Sequence, residues 1–324
     1  MKPSPEFSLI QQYFQALTMR RADVIVGVGD DCAVLDNPQD CFTAISIDTL
    51  VQGIHFFADV DPYRLGIKAL AVNLSDLAAM GAKPAWFTLA LTLPEINDDW
   101  LKQFSAGLAD IANDYQIQLV GGDTTRGPLT ITIQVHGHVP KDNLLQRNAA
   151  KASDLICVTG CLGDAAAGLQ YRLGQLDTTL LTDADIGYLL QRLEMPTPRN
   201  QIGEQLVGAA HAAIDISDGL LADLNHILTA SNRGAKLDLS ALPLSVALQK
   251  LPEEVATQLA LTGGDDYELC FTATADNVML IKRQFPGLIQ VIGEITDKAG
   301  LFFRNAQGEW QGFSEIKAGY DHFS

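Results

Sequence analysis

The chain has 324 residues, 47% of them apolar, and its 22 basic and 39 acidic side chains give a formal net charge of −17. This length suits roughly two domains, and the charge disfavours binding to nucleic acid or to anionic membranes, although acidity can also serve solubility alone. No apolar run approaches the roughly 20 residues of a membrane span, and the five scattered cysteines are typical of a reducing compartment. We therefore expect a cytoplasmic globular protein.

The apolar spacing predicts an N-terminal half of mixed helices and strands that ends near Pro140. Its first element is an amphipathic helix at 6–19, followed by β-like runs on either side of a turn at 36–40. Strands are expected at 24–35, 42–48, 86–93, 117–121 and 129–139, and further helices at 62–80 and 97–115.

A polar connection at 141–153 precedes a second series of elements. Helices are expected at 164–174, 183–192, 199–210 and 220–231, and strands or short apolar segments at 155–159, 213–216, 259–261, 268–273, 288–295 and 301–304. Both halves mix strands and helices, with connections too variable for a regular doubly wound sheet. We therefore predict an α+β or irregular α/β fold made of two α/β domains, at 1–140 and 141–324.

Seven short apolar runs each end in, or just before, an aspartate, usually beside glycine or a small hydroxyl residue. Buried strands and helices make such carboxylates rigid, and if several converge their repulsion must be relieved by protonation or by cations. Carboxylate oxygens suit Mg²⁺, which commonly accompanies phosphate. The pattern therefore indicates phosphate chemistry, and the aspartates closing the runs are Asp30, Asp48, Asp76, Asp123, Asp164, Asp215 with Asp218, and Asp265.

Two pairs in the N-terminal half can each present oxygens on one face of an element. Ser46 and Asp48 lie two apart on a strand, and Asn73 and Asp76 lie three apart in a helical pattern. The second pair could equally mark the solvent side of its helix. The glycine-rich segment 27–31 could be a plain turn, and it is neither a dinucleotide fingerprint nor a P-loop.

The C-terminal half repeats the strand geometry with Asp215 and Ser217, and Asp218-Gly219 then precedes a helix. An N-cap role for Ser217 or Asp218 is the alternative interpretation. His55 lies between hydrophobes and could be an ordinary core histidine. Arg147 lies in the polar connection, where it could bridge phosphates or simply be solvated.

Taken together, several segments resemble thiamine-monophosphate kinase, a family within the aminoimidazole ribonucleotide synthetase superfamily. The resemblance covers nearly the whole chain. It is carried by Gly29-Asp-Asp-Cys-Ala-Val34, Asp48-Thr-Leu-Val-Gln-Gly-Ile-His55, Asn73-Leu-Ser-Asp76, Gly121-Gly-Asp-Thr-Thr-Arg-Gly127, Val158 to Gly168, Asp215-Ile-Ser-Asp-Gly-Leu220 and Gly263-Gly-Asp-Asp-Tyr-Glu-Leu269.

The resemblance implies an ATP- and Mg²⁺-dependent phosphorylation of thiamine phosphate to thiamine diphosphate. It also implies a homodimer whose N-terminal domains form a shared β-barrel, with the C-terminal domain completing the active site. The implied metal ligands are Asp30, Ser46, Asp48, Asp76, Asp123, Asp215 and Asp218, the implied ATP contacts are Gly122, Arg147 and Ser217, and the implied substrate contacts are His55, Glu268 and Tyr320.

The expected mechanism is direct in-line transfer, with no side chain as covalent nucleophile or general base. The chain departs from the family at Ala149 and Ser153, where the family commonly has glycine, so the path of the connection around Arg147 is open. The alternatives are another ATP-using enzyme of the superfamily, such as a ligase or a selenophosphate synthetase, and a non-catalytic sensor of nucleotide or thiamine. A selenophosphate synthetase would need a reactive cysteine near the N-terminus, and none precedes Cys32.

Overall fold

The computed structural model describes residues 9–15, 17–304 and 310–312. The chain divides into two compact units, Met1–Leu77 with Ala82–Asp142 and Ala78–Gly81 with Asn143–Ser324. Among the described residues, no helix is both long enough and apolar enough to cross a membrane.

The described residues of the N-terminal unit form two long helices and six strands. A π-helical turn at Ile10–Phe14 lies in the segment where a longer helix is expected; most of that predicted helix's first turn is outside the described residues. The helices are α1 (Pro62–Ala79) and α2 (Asp98–Asp114), and the strands are β1 (Val24–Val26), β2 (Val34–Leu35), β3 (Cys41–Val51), β4 (Lys83–Leu93), β5 (Gln118–Arg126) and β6 (Thr130–Pro140).

Four of these strands form an open sheet in the order β3-β6-β4-β5, which leaves β3 and β5 at opposite edges. Only β4 and β5 are parallel, and α2 makes the crossover between them. Helices α1 and α2 approach closely because glycine stands at their contacts. A Cβ atom on Gly66 would lie 2.2 Å from the Phe104 carbonyl oxygen, and one on Gly107 would lie 1.9 Å from that of Tyr63.

The C-terminal unit is built on a seven-stranded sheet in the order β13-β12-β9-β11-β7-β10-β8. Its strands are β7 (Leu155–Thr159), β8 (Ala212–Ile216), β9 (Gly234–Asp238), β10 (Glu268–Ala273), β11 (Ile289–Thr296), β12 (Leu301–Arg304) and β13 (Trp310–Gly312). Its helices are α3 (Asp164–Arg172), α4 (Asp183–Glu194), α5 (Asn200–Leu206), α6 (Leu220–Ser231), α7 (Glu253–Thr262) and α8 (Ala275–Gln284).

Apolar cores lie on both faces of this sheet. Along β7, Ile156 and Val158 contribute to one core and Cys157 to the other, as the alternation of a strand requires. Strands β8 and β10 are buried along their whole length. The polar residues at the ends of these strands are therefore held by a rigid backbone.

The structure confirms the expected mixture of strands and helices but corrects several elements. The run 24–35 is two short strands separated by a turn, because Gly29 has a φ of 118° that breaks the strand. Strands β9 and β13 and helix α8 were not predicted, and the apolar segment expected at 259–261 is the last part of helix α7. Within the described residues the N-terminal sheet is open, so a barrel shared in a dimer stays a prediction.

Candidate functional site

In the N-terminal unit, β3 and α1 bring three of the predicted metal ligands together. Ser46 Oγ donates a hydrogen bond to Asp76 Oδ2, which links the strand to the helix. Asn73 Oδ1 accepts a hydrogen bond from the backbone N–H of Asp48 at 3.1 Å, and Asn73 Nδ2 donates one to the Ala69 carbonyl. Asn73 is fully buried, so it does not mark a solvent-facing side of α1.

The electrostatics of this cluster are those of crowded carboxylates. Burial, and after it the negative charge of Asp76, raises the pKa of Asp48 to about 7. Among the described residues, no three His, Cys, Asp or Glu side chains form a group able to hold a metal ion by themselves. Mg²⁺ usually takes one or two carboxylates and completes its shell with water and substrate phosphate, so a hydroxyl and two carboxylates fit that ion.

Asp123 lies far from this cluster within the same unit. The pairing of the strands aligns Asp48 with Ile133, then with Leu89 and then with Gly122, which crosses the whole sheet. Three strand spacings are about 14 Å, and Asp123, exposed and one residue further along β5, points to the opposite face from Gly122. Strand order and register therefore separate Asp48 and Asp123 of one chain by the width of the sheet.

Gly122 has a separate packing role. A Cβ atom at this position would lie 2.0 Å from the Leu89 carbonyl oxygen, so only glycine lets β5 approach β4 here. This contact accounts for glycine at position 122 without any ligand, and the predicted ATP contact at Gly122 stays a prediction.

Asp30 and His55 lie on turns beside the sheet. Asp30 is exposed between β1 and β2, where its Oδ1 accepts the N–H of Asp31. His55 lies in the turn after β3, and its Nδ1 accepts the backbone N–H of Val51 at 3.0 Å. A neutral ring in this geometry carries its proton on Nε2, so it is arranged as a donor at that atom and not as a base.

In the C-terminal unit, Asp215 lies near the end of β8, and the loop from β8 to α6 carries Ser217 and Asp218. Two backbone hydrogen bonds join this segment to the 263–267 loop. The Asp265 N–H donates to the Ser217 carbonyl and the Tyr267 N–H donates to the Ile216 carbonyl, both at 2.8 Å. The N-cap of α6 is Gly219, with no side-chain cap, so the N-cap interpretation of Ser217 and Asp218 is wrong. Asp215 is buried at the end of β8.

Sequence reasoning missed Asp223, in the first turn of α6. Its Oδ2 accepts the backbone N–H of Ser217 at 3.0 Å and that of Asp218 at 3.1 Å. The pKa of Asp223 is raised to about 7, chiefly by burial; the negative charge of Asp218 also raises it, whereas the hydrogen bonds from the two backbone N–H groups and the charge of Arg147 lower it. The sequence did contain a signal for Asp223: it is an acidic residue among the apolar residues of a predicted helix, five positions after Asp218.

Glu268, at the start of β10, is fully buried and its carboxylate is surrounded by donors. Arg199 binds both oxygens at 2.6 Å, Arg192 binds Oε1 at 3.0 Å, and Thr159 Oγ1 donates to Oε2 at 2.6 Å. The residue therefore anchors two arginines whatever its role toward substrate, which stays a prediction. Tyr320 lies outside the described residues.

Family models match most of the chain. The model described as AIR synthase related protein, N-terminal domain, matches residues 29–139, and the corresponding C-terminal domain model matches residues 151–304. The fold and the aspartate-bearing strand ends thus define an AIR synthase-related protein.

Individual relatives narrow this class. The chain is 49% identical to thiamine-monophosphate kinase from Escherichia coli (strain K12), with 98% of each chain covered. It belongs to the thiamine-monophosphate kinase family, as the sequence motifs predicted, and is an enzyme of that family.

Two solved structures agree with this assignment. The thiamine-monophosphate kinase from Stenotrophomonas maltophilia K279a is 45% identical with a TM-score of 0.82, over 90% of this chain and 93% of that one. AaThiL complexed with AMPPCP and TMP is 30% identical with a TM-score of 0.77, over 91% of this chain and 92% of that one.

Proposed function

We propose that this protein transfers the γ-phosphoryl group of ATP directly to the phosphate of thiamine phosphate, giving thiamine diphosphate, in a reaction that requires Mg²⁺. Its family supports the reaction, and the relative complexed with AMPPCP, an ATP analogue, and TMP supports the pair of substrates. The observation that carries the proposal here is the Ser46–Asp48–Asp76 cluster, in which two carboxylates and a hydroxyl share one partly buried site.

The metal chemistry follows from the donor set. Asp30, Ser46, Asp48, Asp76, Asp123, Asp215 and Asp218 are the residues that would hold Mg²⁺. When bound there, Mg²⁺ would neutralise charge on the polyphosphate and on the carboxylates around it. At the Ser46–Asp48–Asp76 cluster, β3 and α1 fix Ser46 and Asp76 relative to each other before any ligand arrives.

The acceptor needs no base from the protein. A phosphate monoester has a second pKa near about 6, so it is largely dianionic at neutral pH and is already a nucleophile. The remaining work is to align two polyanions for in-line transfer through a loose transition state. Gly122, Arg147 and Ser217 would bind ATP, while His55, Glu268 and Tyr320 would bind thiamine phosphate. His55 would orient the substrate by donating from Nε2, in keeping with its bond to Val51.

A homodimer is part of the proposal, because the position of Asp123 favours a site completed by a second copy. Within one chain this residue lies at the edge of the sheet opposite Asp48. Ile45 and Ile47 are 59% and 57% exposed on the sheet face that does not carry Asp48. A sheet with two open edges and an apolar exposed face is suited to closing into a barrel with its symmetry mate, which would bring β5 of one chain toward β3 of the other.

Turnover by the purified protein with ATP, Mg²⁺ and thiamine phosphate tests the reaction, and EDTA should abolish it. Binding of both ligands without product would favour a sensor. The direct-transfer step is tested with γ-labelled ATP and Mg²⁺ in the absence of thiamine phosphate. No covalent label is expected on the protein, and label that is later chased into product would contradict direct transfer.

A further inference from the structure

The loop at 263–267, between α7 and β10, contains two residues in a strained backbone conformation. Asp265 has a φ of 66° and Tyr267 a φ of 49°, values that favour glycine. Residues with a side chain keep such angles only where the surrounding structure holds them. Asp266, which lies between these two half-buried residues, is fully buried. The loop therefore needs an anchor, and Asp266 is in the position to provide it.

Asp266 is held by both its side chain and its backbone. Its Oδ2 accepts a hydrogen bond from the backbone N–H of Gly163 at 2.8 Å, at the N-cap of α3. Its carbonyl accepts one from Arg192 Nη2 at 3.1 Å, and the same nitrogen donates to Glu268 Oε1 at 3.0 Å. These bonds connect the middle of the loop to the start of α3 and to α4.

The two left-handed residues of the loop bind the backbone at the end of β8. The Asp265 N–H donates to the Ser217 carbonyl at 2.8 Å. The Tyr267 N–H donates to the Ile216 carbonyl, also at 2.8 Å. The approach is close, because a Cβ atom on Gly264 would lie 2.6 Å from the same Ser217 oxygen. A loop that left this conformation would carry both donors away, so the position of Ser217 depends on how the loop is anchored.

We infer that Asp266 is a positioning residue for ATP: its bond to Gly163 holds the 263–267 loop in place, and the loop holds Ser217 for contact with the nucleotide. Asp266 is buried and acts only through these neighbours. Each step in this connection is a hydrogen bond or a covalent link within the C-terminal unit. The inference rests on the proposed function, because it takes Ser217 as an ATP contact.

Substitution can separate the hydrogen bond of Asp266 from its charge. Burial raises the pKa of Asp266 well above its usual value, and its Oδ1 has no hydrogen-bond partner among the described residues. A neutral side chain of the same shape should therefore serve equally well. Asp266→Asn keeps an oxygen that can accept the Gly163 N–H, whereas Asp266→Ala removes that acceptor.

The experiment measures AMPPCP affinity by calorimetry in the presence of Mg²⁺. Asp266→Ala should weaken AMPPCP binding by roughly tenfold, because the loop loses its side-chain anchor. Asp266→Asn should bind AMPPCP within about threefold of the wild type. Hydrogen exchange followed by mass spectrometry should show faster exchange at 214–219 and 263–267 in Asp266→Ala, without faster exchange throughout the unit.

The matched control is Asp164→Ala, which removes another fully buried aspartate at the start of α3. The Asp164 side chain binds Tyr188 and Ser245 and makes no hydrogen bond to the 263–267 loop among the described residues. Asp164→Ala should lower the melting temperature but leave AMPPCP affinity within about twofold. Equal losses of AMPPCP affinity in Asp266→Ala and Asp164→Ala, or a loss in folded Asp266→Asn as large as in Asp266→Ala, would overturn the inference.

A measurement on the wild type keeps the test decisive if Asp266→Ala does not fold. AMPPCP binding should slow hydrogen exchange at 214–219 and at 263–267 together, because the two segments are hydrogen-bonded to each other. Slower exchange at 214–219 alone would contradict the inference. A wild type that binds AMPPCP but forms no product would instead contradict the proposed function alone.

Discussion

Asp48 and Asp76 form a pair of like charges at the contact between β3 and α1: burial and then the charge of Asp76 raise the pKa of Asp48 to about 7. Asp76 in turn accepts a hydrogen bond from Ser46. The pair costs stability whenever both carboxylates are ionised without a cation, which is the physical reason to expect a ligand-dependent stability.

The first prediction concerns pH. The pKa of Asp48 is raised from 3.8 by folding, so the folded state binds more protons than the unfolded state between about pH 4 and pH 7. Stability should therefore fall as pH rises through this window, by on the order of a few kcal/mol from this residue. Thermal unfolding in EDTA should show the fall in the wild type and a smaller one in Asp48→Asn. The exposed Asp36→Asn is the control, and parallel curves for wild type and Asp48→Asn would contradict the prediction.

The second prediction concerns the dimer. Asp48→Asn and Asp123→Asn should each abolish turnover while leaving the fold intact. If Asp123 serves the site of the other chain, a mixed dimer of the two variants contains one site with both residues native. Mixing the unfolded chains and refolding them together should then restore about a quarter of wild-type activity. Mixtures that stay inactive, although mixed dimers form, would assign both residues to one chain.

The third prediction concerns the connection around Arg147. Ser153 has a left-handed backbone with a φ of 70°, a conformation that glycine adopts without the steric cost of a side chain. Ser153→Gly should raise the free energy of unfolding by roughly 0.5–1 kcal/mol. Ala149 is not among the residues with a positive φ, so Ala149→Gly should instead lower the free energy of unfolding by about 0.4–1 kcal/mol. Urea denaturation checks both, and a shift of the two variants in the same direction would be inconsistent with the strain argument.

The fourth prediction concerns Glu268. Replacing its carboxylate leaves the Arg192 and Arg199 guanidinium groups without their buried partner. Glu268→Gln should lower the free energy of unfolding by about 3 kcal/mol. The exposed Glu294→Gln on β11 should change it by less than about 0.5 kcal/mol. Similar denaturation midpoints for the two variants would show that the cluster does not stabilise the fold.

The fifth prediction concerns His55. Because its Nδ1 accepts the Val51 N–H and the ring is arranged to donate from Nε2, it should orient substrate without removing a proton. His55→Asn should retain measurable turnover with mainly a higher KM for thiamine phosphate. Steady-state kinetics at saturating substrate decide this, and a complete loss of kcat would favour a role in proton transfer.

The sequence by itself determined the family, the class of enzyme and most of the helices and strands. Aspartates at the ends of apolar runs are a local signal, since the run fixes the backbone and the carboxylate is left at its end. The same locality explains why Leu155–Thr159 and Leu220–Ser231 were predicted with the bounds that the structure has.

Only the tertiary structure decided which of these aspartates lie together. Asp48 and Asp123 have similar local sequences, but strand order places them at opposite edges of one sheet, whereas α1 brings Asp76 to Ser46. The role of Asp223 likewise depends on the direction in which α6 leaves the Ser217–Asp218 loop. Strand order and helix direction are set by packing between segments distant in sequence, which no local pattern of residues encodes.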